Sequence, residues 1–267
     1  MSNILAEIVA QKHKEVAERQ TNRLVQDLER ATLFNRKTLS LKSFLVAPTR
    51  TGIIAEFKRK SPSKGIINDM VKVQTVTGAY NRFGASGLSV LTDGPYFGGS
   101  IDDLIQAREI NNIPILRKDF IVDEYQIIEA KAIGADVILL IAECLTKEQV
   151  AQFAKTAHDL DLEVLLEIHS AEQLDKVAKD VDLVGVNNRD LTTFTVDVNR
   201  SFELAPLIPA DKVKVAESGI TDVNVIISLK KAGFDGFLIG EHFMKQSSPD
   251  KAFERFAGDL QHQLASL

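Results

Sequence analysis

Six polar residues that can take part in acid–base chemistry stand at the ends of short apolar runs. They are Glu56, Lys58, Lys118, Glu167, Asn187 and Glu217. Charged groups in a partly desolvated pocket are costly unless they pair with one another or bind something charged. Carboxylates and amines held together can exchange protons with a substrate. A salt-bridge network that only ties strand ends together is the alternative for any single residue, whereas the shared placement of all six predicts a site for proton transfer.

Glycine and serine residues after three of the same runs indicate a site for an anion. Ser61 follows the first run, Ser218 and Gly219 follow the seventh, and Gly240 and Glu241 follow the eighth. Glycine lets backbone N–H groups approach a phosphate closely, and a helix N-terminus favours negative charge. A plain turn is the alternative for each glycine alone. Their position after the last two runs favours a phosphate site.

The apolar runs are short and nearly continuous, as strands buried on both faces of a parallel sheet are. There are eight, at residues 53–57, 88–91, 114–117, 136–141, 163–168, 182–186, 213–216 and 236–239. Their starts lie about 20 to 35 residues apart, the room that a strand, a helix and two loops require. This repetition predicts an α/β fold, a (β/α)8 TIM barrel, with an open doubly wound sheet as the main alternative. In a barrel, the strand ends bring the polar residues to one mouth.

The first part of the chain precedes the first predicted strand. We expect one barrel domain over residues 1–267, in which residues 1–50 form an N-terminal helical extension and residues 51–267 form the barrel. The spacing of apolar residues predicts amphipathic helices at 3–19 and 21–33. The extension could be a structural lid or could cover the substrate, and the sequence leaves both possibilities open.

Composition excludes several classes of protein. The 267 residues are 45% hydrophobic, enough for a large core, and the net charge of −5 argues against a dedicated nucleic-acid binder. No apolar stretch is long enough to span a membrane and no signal-peptide core is present, so we expect a cytoplasmic protein with no membrane partner. The single cysteine, Cys144, fits a reducing compartment. The five histidines are scattered and nucleotide-binding motifs are absent, so we expect no metal and no cofactor.

Longer motifs resemble those of a known family. The segment IIAEFKRKSPSKG at residues 53–65 closely resembles the opening signature of the indole-3-glycerol phosphate synthases. Further segments match that family in order, at residues 91–100, 116–121, 166–169, 185–191, 216–220 and 238–240. The resemblance covers nearly the whole chain, and its first signature is long and specific. The glycine motifs are shared with other phosphate-binding barrels.

The resemblance implies a reaction without a cofactor. The substrate would be 1-(2-carboxyphenylamino)-1-deoxyribulose 5-phosphate, whose indole ring closes with loss of carbon dioxide and water in tryptophan biosynthesis. By motif position, Lys118 resembles the general acid that activates the ketone. Glu167 resembles the carboxylate that stabilises cationic intermediates or takes a proton. Glu56 and Lys58 resemble the pair of the first strand, with Lys58 near the substrate carboxylate and available for dehydration.

The resemblance also implies the binding residues. Asn187 and Glu217 would orient the substrate and the charged groups. The phosphate contacts would be Ser61, Ser218, Gly219 and Gly240, the apolar wall around the anthranilate ring would be Phe97, Phe120 and Leu191, and Arg189 would act as a clamp behind the substrate. Glu241 departs from the small serine often found there. We expect its backbone N–H to bind phosphate while its carboxylate points away.

Two other functions remain open at this stage. One is another phosphosugar isomerase or epimerase on the same scaffold, and the other is a non-catalytic binder of a phosphorylated metabolite. In every case the partner is a phosphorylated small molecule, and we expect a monomer or a weak homo-oligomer. The short stretch after the last strand leaves no room for a fused second barrel, so we expect the synthase activity alone.

Overall fold

The computed structural model describes residues 4–190 and 193–265. Eight parallel strands form a closed barrel: β1 Ile53–Phe57, β2 Gly87–Leu91, β3 Ile115–Lys118, β4 Val137–Ile141, β5 Glu163–Ile168, β6 Leu183–Asn187, β7 Val213–Glu217 and β8 Gly236–Ile239. Strand β8 pairs with β1, with Ile54 opposite Leu238, and this pairing closes the sheet. The predicted (β/α)8 barrel is therefore confirmed, and the open doubly wound sheet is wrong.

Helices flank the strands in the order that a barrel requires. They are α1 Ile4–Asn22, α2 Val25–Glu29, α3 Leu41–Leu45, α4 Val73–Arg82, α5 Ile101–Ile110, α6 Glu124–Ala132, α7 Lys147–Asp159, α8 Asn199–Leu204, α9 Val223–Lys231, α10 Glu241–Met244 and α11 Pro249–Leu264. Side-chain caps fix several starts, as at Thr146, which accepts the N–H of Gln149 in a capping box. Residues 171–176 form a 3-10 helix. No described helix is both long and apolar enough to cross a membrane.

The barrel interior explains how the fold aims its polar residues. Leu116, Leu165 and Val215 belong to a buried apolar cluster inside the barrel. Because side chains two apart in a strand lie on the same face, Lys118, Glu167 and Glu217 continue these inward-facing rows to the carboxyl end of the barrel. Leu41 and Leu45 of α3 join the same cluster from the amino end.

The N-terminal extension differs in detail from its predicted helices. Helix α1 runs to Asn22, but α2 ends at Glu29, and residues 31–36 continue as turns with hydrogen bonds from residue i to residue i−3. The helix α3 was not predicted. The loop after β1 also contains an unpredicted antiparallel hairpin of Lys60–Ser61 and Gly65–Ile66. Both are too short for a periodic pattern to reveal.

Candidate active site

The carboxyl end of the barrel holds a cavity. The six polar residues predicted from the strand ends all line it: Glu56, Lys58, Lys118, Glu167, Asn187 and Glu217. They come from β1, β3, β5, β6 and β7, or directly after them, so strands far apart in sequence supply one pocket. The structure thus brings together the whole set that the sequence placed at one mouth.

Lys118 lies between two carboxylates at the centre of the cavity. Its Nζ is 2.7 Å from Glu167 Oε2 and 3.2 Å from Glu217 Oε2. The two glutamates are almost completely buried, whereas the Lys118 side chain is 15% exposed. An ammonium has three N–H donors, so two carboxylate contacts leave one donor for a substrate atom.

The charges of this triad set the protonation states. Burial favours the neutral form of Glu167, but the Lys118 ammonium outweighs it and holds the pKa of Glu167 below its ordinary value. Burial raises the pKa of Glu217, and Lys118 opposes this increase only in part while the charge of Glu167 adds to it. Burial works against the charge of Lys118, but the two carboxylates raise its pKa. One ammonium therefore keeps one carboxylate ionised, and Glu217 is the one that readily holds a proton.

Asn187 fixes the orientation of Glu167. Its Nδ2 donates to Glu167 Oε1 at 3.0 Å, and its Oδ1 accepts the Arg189 N–H at 3.0 Å, which assigns the amide. His169 also approaches, with Nε2 3.4 Å from the same Oε1. Both oxygens of Glu167 are thus engaged, and the carboxylate cannot turn away from Lys118.

Glu56 and Lys58 form a second ion pair on the wall of the cavity. The Lys58 Nζ lies 2.6 Å from Glu56 Oε1, and Ser89 donates to Glu56 Oε2 at 3.3 Å. Gly240 packs directly against this carboxylate, since a Cβ there would meet Glu56 Oε1 at 2.5 Å. A residue with a side chain at 240 would displace Glu56, so this glycine has a packing role beside any phosphate contact.

Two aromatic rings form the apolar wall. The centroids of Phe97 and Phe120 are 6.0 Å apart and both rings line the cavity. Their spacing and tilt suit an aromatic pair that could hold a third ring against its face. The third predicted member, Leu191, lies outside the described residues.

The predicted phosphate residues after β7 and β8 lie beside the cavity. Ser218 and Glu241 line it, and together with Gly219 and Gly240 they line an adjoining pocket. Ser218 and Gly219 have φ angles of +67° and +77°, so the chain turns sharply after β7 in a conformation that Ser218 adopts only at a cost. Gly240 precedes the short helix α10. Glu241 lies at the same place with its carboxylate directed to Arg189, whose Nη2 is 3.1 Å from Glu241 Oε2. The Glu241 carboxylate is thus paired with Arg189, and both residues line the cavity and the adjoining pocket.

Ser61 completes the set of predicted binding residues. It is buried, its Oγ is 3.4 Å from Ser63 Oγ, and both serines line the cavity beside Lys58. The loop after β1 therefore contributes hydroxyl groups near the ion pair of Glu56 and Lys58.

Sequence reasoning missed cavity residues that lie outside the strand ends. Ile4, Leu5 and Ile8 of α1 line the cavity, so the extension covers the mouth of the barrel. Phe194, from the loop after β6, also lines it. The amphipathic pattern of α1 signals that one face is buried, but it does not say against what.

Comparison with known proteins agrees with these motifs. The family model described as indole-3-glycerol phosphate synthase matches residues 5–256. A protein of that name from Bacteroides thetaiotaomicron is 47% identical over 261 residues, covering 98% of this chain and 100% of its own. The chain belongs to the indole-3-glycerol phosphate synthase family. Within that family, a synthase from Acinetobacter baumannii is 40% identical, covering 97% of this chain and 97% of its own. One from Laribacter hongkongensis is 41% identical, covering 94% of this chain and 98% of its own.

Solved structures share the fold at low sequence identity. A chain of the tryptophan synthase complex from Pyrococcus furiosus superposes with a TM-score of 0.58 at 14% identity, covering 80% of this chain and 99% of its own. A chain described as native KDPGal gives a TM-score of 0.56 at 13% identity, covering 83% and 96%. At such identities the match supports the barrel and says nothing about the reaction.

Proposed function

We propose that this chain closes the indole ring of 1-(2-carboxyphenylamino)-1-deoxyribulose 5-phosphate, releasing carbon dioxide and water to give indole-3-glycerol phosphate, with Lys118 as the general acid. The observation that carries the proposal is the Lys118 ammonium, held 2.7 Å from Glu167 and 3.2 Å from Glu217 in a cavity walled by aromatic rings. Family membership supports the substrate. The geometry supports the roles that we assign to the residues.

Ring closure needs an electrophilic ketone. Lys118 gives a proton to the ketone oxygen, which makes the ketone carbon more electrophilic. The ring carbon that carries the carboxylate then attacks this ketone carbon. The new carbon–carbon bond leaves positive charge on the ring and its nitrogen, and the ionised Glu167 stabilises that charge. Carbon dioxide then leaves from the same ring carbon and aromaticity returns.

Dehydration completes the indole. The hydroxyl formed from the ketone needs a second proton to leave as water, and Lys58, whose Nζ lies 2.6 Å from Glu56, is the second amine of the pocket that can give it. The chain carbon next to the one that loses the hydroxyl gives a proton to a carboxylate of the pocket, and a double bond forms between these two carbons. Asn187 keeps Glu167 in place, and Glu217 orients the Lys118 ammonium.

Binding divides the substrate between two ends of the cavity. The anthranilate ring lies against Phe97 and Phe120, with Leu191 as a further part of this wall. The phosphate is held by Ser61, Ser218, Gly219, Gly240 and the backbone N–H of Glu241, with Arg189 behind it. Fixing both ends places the reacting carbons side by side, which lowers the entropic cost of ring closure. The protein acts as a single domain in the cytoplasm, as a monomer or a weak homo-oligomer.

The direct test is turnover of this substrate by the purified chain with EDTA present. We expect a fluorescent indole product, and we expect Lys118→Ala to lower kcat about a hundredfold or more, as loss of a general acid does. Unchanged turnover in Lys118→Ala would refute its role. Turnover of phosphoribosylanthranilate with no reaction of the carboxyphenylamino compound would favour an isomerase. Calorimetric binding without turnover would favour a binding protein.

A further inference from the structure

A lysine of the N-terminal extension is buried beneath the mouth of the barrel. Lys12 lies on α1 and its side chain is 1% exposed. Its Nζ is 2.8 Å from Asp93 Oδ2, 3.0 Å from Asp119 Oδ1 and 2.9 Å from Glu15 Oε2. Burial opposes the charge of Lys12, but the aspartates outweigh it and raise its pKa to about 12. The ammonium is therefore charged at every pH at which an enzyme works.

The two aspartates connect Lys12 to the aromatic wall. Asp93 follows β2, and its Oδ1 accepts the N–H of Tyr96 at 2.8 Å and of Phe97 at 3.1 Å. Asp119 follows β3, and its Oδ1 accepts the N–H of Phe120 at 2.8 Å. One ammonium thus contacts the two carboxylates that fix the backbone of both ring-bearing loops.

The same face of α1 contributes directly to the cavity. Ile4, Ile8 and Lys12 are four residues apart and so lie along one side of the helix. The first two line the cavity, and the third lies deeper, against the aspartates. The position of α1 and the position of the aromatic wall therefore depend on the same contact.

We infer that Lys12 is a positioning residue that sets the aromatic end of the substrate site through Asp93 and Asp119. The inference rests on the proposed function, because it assigns the anthranilate ring to the wall of Phe97 and Phe120. It predicts a selective defect. Loss of the ammonium weakens binding of the ring, whereas the phosphate contacts in the loops after β7 and β8 are unaffected.

The extension offers a matched control at the opposite end of the barrel. Lys42 Nζ lies 2.7 Å from Asp182 Oδ1, and Asp182 directly precedes β6. This ion pair also links the extension to the barrel. It lies at the amino ends of the strands, whereas both aromatic loops follow the carboxyl ends. Lys42→Met therefore removes an anchor of the extension without touching the wall.

The experiment compares Lys12→Met with Lys42→Met at a temperature where circular dichroism shows both to be folded. For Lys12→Met we expect the KM of the carboxyphenylamino substrate to rise about tenfold or more, a loss of the order of one buried charged contact. The inhibition constant of inorganic phosphate should stay at the wild-type value. Amide hydrogen exchange at Tyr96, Phe97 and Phe120 should become faster. Lys42→Met should leave all three quantities unchanged.

Several results would overturn the inference. The first is a Lys12→Met variant whose KM and amide exchange rates both equal those of the wild type. The second is a phosphate inhibition constant that rises in Lys12→Met as much as the KM does. The third is an equal defect in Lys42→Met. If Lys12→Met does not fold, Lys12→Met/Asp93→Asn replaces it, because the second change removes a carboxylate left without its partner. The exchange measurement needs no substrate. Absence of turnover by the wild type would thus refute the proposed function while still leaving the link between α1 and the loops tested.

Discussion

Arg117 and Lys118 are neighbours on β3, and each is a cation facing two carboxylates, yet they serve different ends. Arg117 points outward, with Nη2 2.7 Å from Glu129 and 3.2 Å from Asp119, and it is 0% exposed. It also donates to Thr92 Oγ1 and to the Gln126 carbonyl. Lys118 points inward to the cavity and remains partly exposed.

The difference lies in access to the cavity. The Arg117 guanidinium makes four hydrogen bonds to protein atoms, is fully buried and is not among the residues that line the cavity, so it cannot reach a ligand there. Lys118 keeps a donor, and no donor among the described residues reaches Glu217 Oε1. An ion pair that is closed off from the cavity is structural, whereas one that lies on the cavity wall can act on a substrate.

Removing the fully buried cation, Arg117, should have the largest effect on stability. Arg117→Met leaves Asp119 and Glu129 buried with too little positive charge, so we expect a loss of about 3–5 kcal/mol in the free energy of unfolding. Urea denaturation measures this loss. The kcat of the protein that remains folded should stay close to wild type. A loss below about 1 kcal/mol, the range of exposed ion pairs, would contradict the assignment.

Glu217, which contacts Lys118, should make the stability of the protein depend on pH. Because the pKa of Glu217 is raised by folding, the native state binds a proton that the unfolded state releases, and this contribution to stability falls as pH rises from the unfolded pKa through the folded one. Glu217→Gln lacks this loss. We therefore expect its melting temperature relative to wild type to increase by about 3 °C or more between pH 5 and pH 8.

The same melting curves contain their own control. Glu203 is an exposed carboxyl on α8 with the same side chain. The difference in melting temperature between Glu203→Gln and the wild type should not change between these pH values. A pH-independent difference for Glu217→Gln as well would show that Glu217 is ionised throughout, and the account of the triad would be wrong.

The smallest effect is expected at Arg189 and Glu241, an ion pair that is partly exposed. Its members are 22% and 32% exposed, so the pair contributes little to stability. Removing the carboxylate by Glu241→Gln frees Arg189 and removes a negative charge beside the phosphate site. We expect inorganic phosphate to inhibit about two- to fivefold more strongly, in line with the weak coupling of exposed charges. Glu254→Gln on the exposed face of α11 should not change this inhibition, and equal inhibition in the two variants would remove Glu241 from the site.

The sequence predicted the strand framework because each buried strand is a short, nearly continuous apolar run. All eight strands fall within one or two residues of the predicted runs, and the alternation of side chains along β3 explains why Lys118, and not Arg117, enters the cavity. Family motifs then identified the chemistry. These are local signals, and they suffice for residues at strand ends.

The missed residues depend on contacts between distant parts of the chain. Lys12 lies 81 residues from Asp93 and 107 from Asp119, and its place in an amphipathic helix resembles that of a solvated lysine. Its burial becomes visible only when α1 is placed on the barrel. The hairpin of Lys60–Ser61 and Gly65–Ile66 has two residues in each strand, too few for an alternating pattern.

The most direct test measures kcat and the free energy of unfolding on Lys118→Met and Arg117→Met in parallel. The account predicts different defects in activity. Both changes leave buried carboxylates without their cation and so cost stability, but the folded fraction of Lys118→Met should lose about a hundredfold or more in kcat, whereas the folded fraction of Arg117→Met should still turn over substrate. Equal losses of activity in the two variants, or full activity in Lys118→Met, would contradict the claim that the inward cation moves the proton and the outward one holds the fold.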